Sequence, residues 1–186
     1  GRGRPVPGEG SLDARLMLIG ESPALPEGNQ GCAFCGHSDE FLSELFDEIG
    51  YARSDAYITT IVKCSLQSNR TPSERERHTC VGLWLKRQIG LIDPEVIVLL
   101  GRTPIRQILG QGEDLRHSHG QVHVVGQRRY VLTHDPMAGW LVPDLEERMR
   151  GPAPARFLLE FTLMKLTAIH PKFVLDSMDQ EALKNS

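Results

Sequence analysis

The sequence has few cysteines and no long apolar run, and each shortage excludes a class of protein. Four cysteines among 186 residues are too sparse for a disulfide-stapled secreted domain. No apolar stretch approaches the roughly 20 residues that a membrane helix needs. The chain also contains no internal repeat, low-complexity tract or block of like charge. These absences leave the class of ordinary globular domains.

A basic excess is also missing. The formal net charge is −3, whereas proteins that coat nucleic acid carry a domain-wide positive charge that supplies their non-specific affinity. This balance argues against a DNA-coating protein. It does not argue against an enzyme that binds nucleic acid at one place through a few phosphate contacts.

The length of the chain and its first residues indicate how many domains to expect and where the protein is located. A chain of 186 residues suits one domain with a sizeable core. We expect a single domain over 1–186, with 1–13 as a flexible lead-in and 172–186 as a peripheral tail. The opening "GRGRPVPGEG" has no apolar stretch after its arginines, which is unlike a secretory signal or a transit peptide. We therefore expect a cytoplasmic protein without a membrane partner.

Short apolar runs alternate with segments of helical spacing. The apolar runs predict four strands, at 14–20, 56–64, 96–101 and 129–134. Apolar spacing and capping residues predict helices between and after them. The predicted helices are 40–50, a helix capped by Thr71 that runs to about Ile92, 103–110 capped by Thr103, and 154–168.

This alternation predicts an α/β fold, a three-layer α/β/α sandwich around a central four-stranded parallel sheet with right-handed crossovers. In such a sheet the ligand site lies at the carboxyl ends of the strands. We therefore expect the functional residues in the loops that follow Gly20, Cys64, Gly101 and His134.

Three segments, taken in order, resemble a known family. "LIGESPALPEGNQGCAFCG" is similar to the first motif of the iron-sulfur uracil-DNA glycosylases of families 4 and 5, G-E-A-P-G-x-x-E-D-x-x-G-x-P-F-V-G. "DAYITTIVKCSLQSNRTPSERERHTC" resembles their Y-I-T-N-x-V-K-C-x-P-P-x-N-R-x-P-T-x-E-E…C segment, and "LIDPEVIVLLGRTP" resembles I-x-P-x-x-I-V-x-L-G-x-x-A. The likeness covers about residues 14–136 and implies a uracil-DNA glycosylase-like fold.

Cutting a base from deoxyribose requires that the nucleotide is turned out of the stack and held by its face and its edge. Phe34 is the candidate for the stacking face, with a plain core phenylalanine as the alternative. Backbone N–H groups after Gly20 are candidates for binding the base carbonyl oxygens. The resemblance places Thr60 where family 4 has the asparagine that reads the base, so the substrate preference stays open.

The first motif also supplies candidates for catalysis. Glu21 and Glu27 are its carboxylates, and the resemblance gives Glu27 the place of a family 4 carboxylate near the base. A solvated loop glutamate is the alternative. Ser22 stands where more efficient relatives have a residue that orients the attacking water, which a hydroxyl does only weakly.

His134 matches the histidine that opens the second motif of the family, where it would hydrogen-bond the base oxygen as charge develops. The chain departs from the family next, because it has "HDPM" where the family has His-Pro. Asp135 either pairs with His134 and favours the charged imidazole or marks a rebuilt intercalating loop. Phosphate contacts are expected from the basic residues near this edge, Lys63, Arg70, Arg102 and Arg106.

The four cysteines leave several accounts open. In the resembled families a [4Fe-4S] cluster is held by a C-x-x-C pair before the first strand and by two later cysteines, which Cys64 and Cys80 match. We expect Cys32 and Cys35 of "GCAFCG" to complete such a cluster. The alternatives are a usual pair that lies upstream of this chain, a zinc ion on all four thiolates, or no metal. A second metal site at His117, His119 and His123 is not favoured, since alternating histidines are typical of an exposed strand.

The sequence therefore predicts a monofunctional DNA repair glycosylase that acts as a monomer. It would use water to release uracil or a related deaminated base from DNA, with a structural iron-sulfur cluster. The alternative, suggested by Thr60, Ser22 and "HDPM", is a glycosylase-fold protein that binds nucleic acid or a nucleobase without cleavage. A zinc-stabilised interaction domain is a third hypothesis.

Overall fold

The structure is a computed structural model and describes most of the chain up to residue 136. The described residues are 4–24, 32–34, 39, 42–43, 46–47, 51–110, 115–118 and 121–136. The predicted helix 154–168 and the predicted tail 172–186 lie outside them.

The described strands form one mixed sheet. They are β1 Glu9–Gly10, β2 Leu16–Gly20, β3 Tyr57–Thr60, β4 Val96–Leu100, β5 Val122–Val125 and β6 Arg128–Thr133. Their order is β1-β3-β2-β4-β6-β5. The four central strands are parallel, as predicted, while β1 and β5 add one antiparallel strand at each edge. The α/β class is confirmed, and the sheet is larger than predicted.

The helices of the described residues begin at other caps than the sequence indicated. They are α1 Glu74–Cys80, a π-helical segment Val81–Leu85, α2 Lys86–Ile92, α3 Arg102–Leu109 and α4 Leu115–Ser118. Ser73 caps α1, because its hydroxyl accepts from the Glu76 N–H while the Glu76 carboxylate accepts from the Ser73 N–H. Thr71 and Thr103 are therefore not caps, and Gly101 occupies that position before α3. None of these helices is both long and apolar enough to cross a membrane.

Two apolar layers enclose the sheet. Met17 and Ile19 of β2 point into one layer, where the side chains of the helical run over 74–92 and of α3 and α4 cover them. Leu16 and Leu18 point into the other layer, which contains Phe34 and the helical residues Leu42 and Phe46. Both faces of β2 are buried for this reason, which confirms the three-layer arrangement.

The second parallel strand is shorter than the predicted 56–64. It ends at Thr60, because the next two backbone N–H groups bond to the segment at the end of β2. The Ile61 N–H donates to Gly20 O at 2.8 Å, and the Val62 N–H donates to Glu21 O at 3.0 Å. These bonds tie the loop after β3 to the loop after β2.

Part of the segment 1–13, which was expected to be a flexible lead-in, is packed in the structure. Val6 is 1% exposed, and its N–H donates to Lys63 O at 2.6 Å. Pro5 forms an isolated bridge with Cys64. The chain before β2 is therefore packed against the loop that follows β3.

Candidate active site

The carboxyl ends of the four parallel strands lie in one row. The register places Thr60 beside Gly20 and Leu100 beside Thr133, with β2 and β4 adjacent at the centre. The chain after β2 enters the layer of Phe34, whereas the chain after β4 enters the layer of α3. Neighbouring strands whose connections leave to opposite faces open a crevice at their carboxyl ends. This rule predicts a ligand crevice between Gly20 and Gly101.

Phe34 covers Gly20 on one side of the crevice. A Cβ atom added at Gly20 would lie 2.3 Å from Cζ of Phe34, a separation that no side chain tolerates. Gly20 therefore has to be glycine so that the aromatic ring can lie against the end of β2. Phe34 is 6% exposed, so the ring also belongs to the core of its layer.

Gly101 shapes the other side of the crevice. Its φ is +94°, a conformation that L-residues rarely adopt, and its N–H donates to Thr133 O at 2.9 Å. A Cβ atom at Gly101 would lie 3.2 Å from Cβ of Asp135. The sequence marked Gly101 as a strand end but did not indicate this contact, since the two residues are far apart in the chain.

His134 follows β6 at the same edge, as predicted, and is half-buried. Burial lowers the pKa of His134, and the nearby positive charge of Arg102 lowers this pKa further. This direction is opposite to the one that pairing with Asp135 would give. The structure favours neutral His134.

Lys63 lies at the edge but does not face solvent. It is 4% exposed, and its Nζ donates to Thr59 Oγ1 at 2.6 Å and to Thr60 O at 2.7 Å. Burial lowers the pKa of Lys63 to about 7, an effect that the charge of Cys80 partly opposes. This internal position does not favour the phosphate contact expected of Lys63.

The hydroxyl of Thr60 is used within the turn. Thr60 is 1% exposed, and its Oγ1 donates to Val62 O at 2.8 Å. Glu21 and Ser22 are half-buried at the start of the loop after β2. Glu27 lies outside the described residues.

The remaining basic candidates are exposed. Arg102 and Arg106 are on α3. Arg70 forms a two-bond fork with Glu76, with N–O distances of 2.9 and 2.8 Å, which lowers the pKa of that carboxylate. Arg102 is the basic candidate whose charge reaches His134.

The structure describes three of the four cysteines expected to hold a cluster. Cys64 and Cys80 are half-buried thiols, whereas Cys32 is disulfide-bonded and Cys35 lies outside the described residues. The described part of the chain contains no group of three or more side chains suited to a metal. His123 lies on β5, a strand that the sequence did not predict, and the His117 side chain and His119 are not described.

These features define a class, namely three-layer α/β proteins with a parallel central sheet that has an aromatic ring and a histidine at its carboxyl ends. The chain belongs to the uracil DNA glycosylase superfamily, whose sequence pattern matches residues 7–179. The resemblance found in the motifs is confirmed.

Individual relatives agree with this assignment. A type-4 uracil-DNA glycosylase of Sulfurisphaera tokodaii is 39% identical over 92% of this chain and 78% of its own length. One of Thermotoga maritima is 44% identical over 54% of this chain and 52% of its own length, so the match spans about half of that relative. A type-5 uracil-DNA glycosylase of Pyrobaculum aerophilum is 33% identical over 71% of this chain and 66% of its own length.

Proposed function

We propose that this protein is a monofunctional DNA glycosylase that hydrolyses the N-glycosidic bond of uracil, or of a related deaminated base, after the nucleotide has flipped out of the DNA. The observation that carries the proposal is that Phe34 packs against Gly20 at the end of β2 and that His134 directly follows β6, both at the edge where parallel sheets bind ligands. Type-4 relatives carry the corresponding activity in their name.

The base would enter between Phe34 and His134. The Phe34 ring would offer a stacking face, and contacts of this kind are worth roughly 1–3 kcal/mol per base. A neutral imidazole has one N–H, and His134 would donate it to a base carbonyl oxygen. The backbone N–H groups after Gly20 would hold the opposite edge of the base.

Bond cleavage leaves negative charge on the departing base. The His134 N–H would meet an oxygen of the base as that charge develops, which lowers the barrier because the donor is already oriented. Arg102 adds a fixed positive charge nearby. The same charge that keeps His134 neutral would therefore favour an anionic leaving group.

The attacking water would be held at the start of the loop after β2. Glu21 and Ser22 are the half-buried polar side chains there, and Glu27 remains a candidate by its resemblance to the family 4 carboxylate. A carboxylate near the sugar would also stabilise positive charge that develops on it. The exposed guanidinium groups of Arg70, Arg102 and Arg106 are the candidates for phosphate contacts.

Two cysteines of this structure have the thiol groups that the cluster proposal needs. Cys64 and Cys80 both carry thiols, and the charge of Cys80 acts on Lys63, the residue before Cys64. They fit the two later ligands of a [4Fe-4S] cluster, which takes four thiolates, so Cys32 would have to be released from its disulfide to be a further ligand. Such a cluster would brace the loop after β3. Iron and sulfide analysis of anaerobically purified protein should give about four of each, and Cys64→Ala should lower both.

The activity is tested by incubating the chain with end-labelled single-stranded and double-stranded oligonucleotides that carry one uracil. The proposal predicts free uracil and an alkali-labile site, and no product from the same oligonucleotide with thymine. His134→Ala and Phe34→Ala should each remove most of the product.

Binding without cleavage is the second candidate, and the engaged hydroxyl of Thr60 favours it. Thr60 Oγ1 is committed to Val62 O, so it is not available for reading the base. Saturable binding of the uracil oligonucleotide with no release over a long incubation would select this candidate.

A further inference from the structure

One guanidinium outside the crevice holds the segment that carries Phe34. Nη2 of Arg53 donates to Ala33 O at 3.3 Å and, more weakly, to Phe34 O at 3.5 Å. The same nitrogen lies 2.7 Å from Glu9 Oε1, and Nη1 lies 3.1 Å from Asp39 Oδ1. Arg53 therefore joins the Phe34 segment to β1 and to the helical residue Asp39.

This arrangement uses the properties of a guanidinium. Nη1 is buried and makes no well-directed hydrogen bond, so its contact with Asp39 is an ion pair set by distance. The planar fork can serve two carboxylates and two carbonyl oxygens from one side chain, which the ammonium of a lysine cannot do with the same geometry. Arg53 side-chain exposure is 25%, so these bonds are partly protected from water.

The segment held by Arg53 is strained. Phe34 has φ +56°, which is rare for an aromatic residue and costs on the order of 1–3 kcal/mol unless the surroundings enforce it. Arg53 bonds to the carbonyl oxygen just before Phe34 and to the carbonyl oxygen of Phe34 itself. These bonds act on the backbone whose conformation decides where the ring lies.

We propose that Arg53 is a positioning residue for Phe34, which it holds against Gly20 in the orientation that an extruded base would meet. The inference rests on the proposed function for the meaning of that orientation. Arg53 itself contacts neither the base nor the sugar. Its effect reaches the crevice only through the backbone of Ala33 and Phe34.

The position of the ring can be measured without any activity. The six phenylalanines are replaced biosynthetically by 4-fluorophenylalanine, and Phe34→Leu assigns the Phe34 signal in the fluorine NMR spectrum. Arg53→Gln should shift or broaden that signal. Arg15→Gln is the matched control, because Arg15 also forms a two-bond ion pair, with Glu95 at 2.7 and 3.1 Å, and should leave the Phe34 signal in place.

The effect on base handling is measured by a double-mutant cycle in single-turnover uracil release. Misplacing a reacting group by about 1 Å can cost 10²-fold, so Arg53→Gln should slow release roughly 10- to 100-fold at saturating protein. Phe34→Ala should slow it as much, and the double variant should be no slower than Phe34→Ala alone. Arg53→Lys should recover only part of the rate. Glu9→Gln keeps an acceptor oxygen but removes one of the two carboxylate charges beside Arg53, and it should give an intermediate loss if Arg53→Gln does not fold.

The outcomes separate the two proposals. A wild-type chain that neither releases uracil nor prefers the uracil oligonucleotide overturns the proposed function, whatever the fluorine spectrum shows. An unmoved Phe34 signal in folded Arg53→Gln overturns the positioning role. Multiplicative rate losses in the double variant also overturn it, because they would mean that Arg53 acts independently of Phe34.

Discussion

The two ends of the parallel sheet are built differently. At the amino ends, charges are paired near the surface, as in Arg15 with Glu95 and in the ion pair of Arg128 with Asp93. At the carboxyl ends, burial shifts the pKa of Lys63 and of His134. Burial also raises the pKa of Tyr51 and of Tyr57 near the amino ends, but a raised pKa leaves a tyrosine neutral, whereas a lowered pKa of Lys63 or His134 favours the loss of a positive charge. This difference supports the proposal that the carboxyl end carries the chemistry.

The strongest test of this contrast is His134→Ala. Loss of one oriented donor to a developing oxyanion typically costs about 10²- to 10³-fold in rate, and we expect a loss of that size in single-turnover uracil release. Affinity for the uracil oligonucleotide, measured by fluorescence anisotropy, should change much less. Equal losses in rate and in affinity would instead assign His134 to ground-state binding.

Gly20→Ala should have the next largest effect. The added Cβ would meet Cζ of Phe34 at 2.3 Å, so the ring must move, which should destabilise the protein by about 1–3 kcal/mol and slow uracil release at least roughly 10-fold. Chemical denaturation and single-turnover kinetics measure the two effects. Gly90→Ala is the control, because it has no heavy atom within 4 Å of an added Cβ and lies in α2, where alanine should stabilise by about 0.5–1 kcal/mol.

Arg15→Gln probes the opposite end of the sheet. Its ion pair with Glu95 is about one third exposed on each side, and pairs of this kind contribute about 0.2–1 kcal/mol. The unfolding free energy should fall by no more than about this amount, while the uracil-release rate should stay within roughly twofold of the wild type. A large rate loss in a stable Arg15→Gln protein would break the division between the two ends.

The smallest expected effect is a change in how stability depends on pH. The folded pKa of His134 lies below its usual value of 6.5, so the unfolded chain binds more protons between the two pKa values. The wild type should therefore lose stability as pH falls from about 7 through this window, and His134→Asn should lose less. Denaturation curves at a series of pH values measure the difference. Parallel pH profiles of the two proteins would contradict the lowered pKa.

The sequence predicted the parallel strands because each is buried on both faces, so its apolar run is visible locally. β2 and β4 agree with their predictions within two residues. The end of β3 was misplaced because amide bonds to Gly20 and Glu21 divert the chain at Ile61. β1 was missed because a two-residue edge strand leaves no periodic pattern.

The sequence predicted the candidate residues whose location is set by their position along a strand, such as Gly20 and His134. It did not predict features that depend on contacts between distant segments. The residues next to Lys63 in the sequence do not indicate that Thr59 and the chain around Val6 bury it. Arg53 also gave no signal, because its partners are 14 to 44 residues away.

The central claim is that the carboxyl-end crevice removes uracil from DNA. The most direct measurement is chromatographic detection of free uracil after incubation of the chain with a single-stranded oligonucleotide that contains one labelled uracil. The account predicts stoichiometric release by wild-type protein in excess, and almost none by His134→Ala. Tight binding of the oligonucleotide with its uracil still attached would contradict the account and identify a protein that holds the base without cutting it.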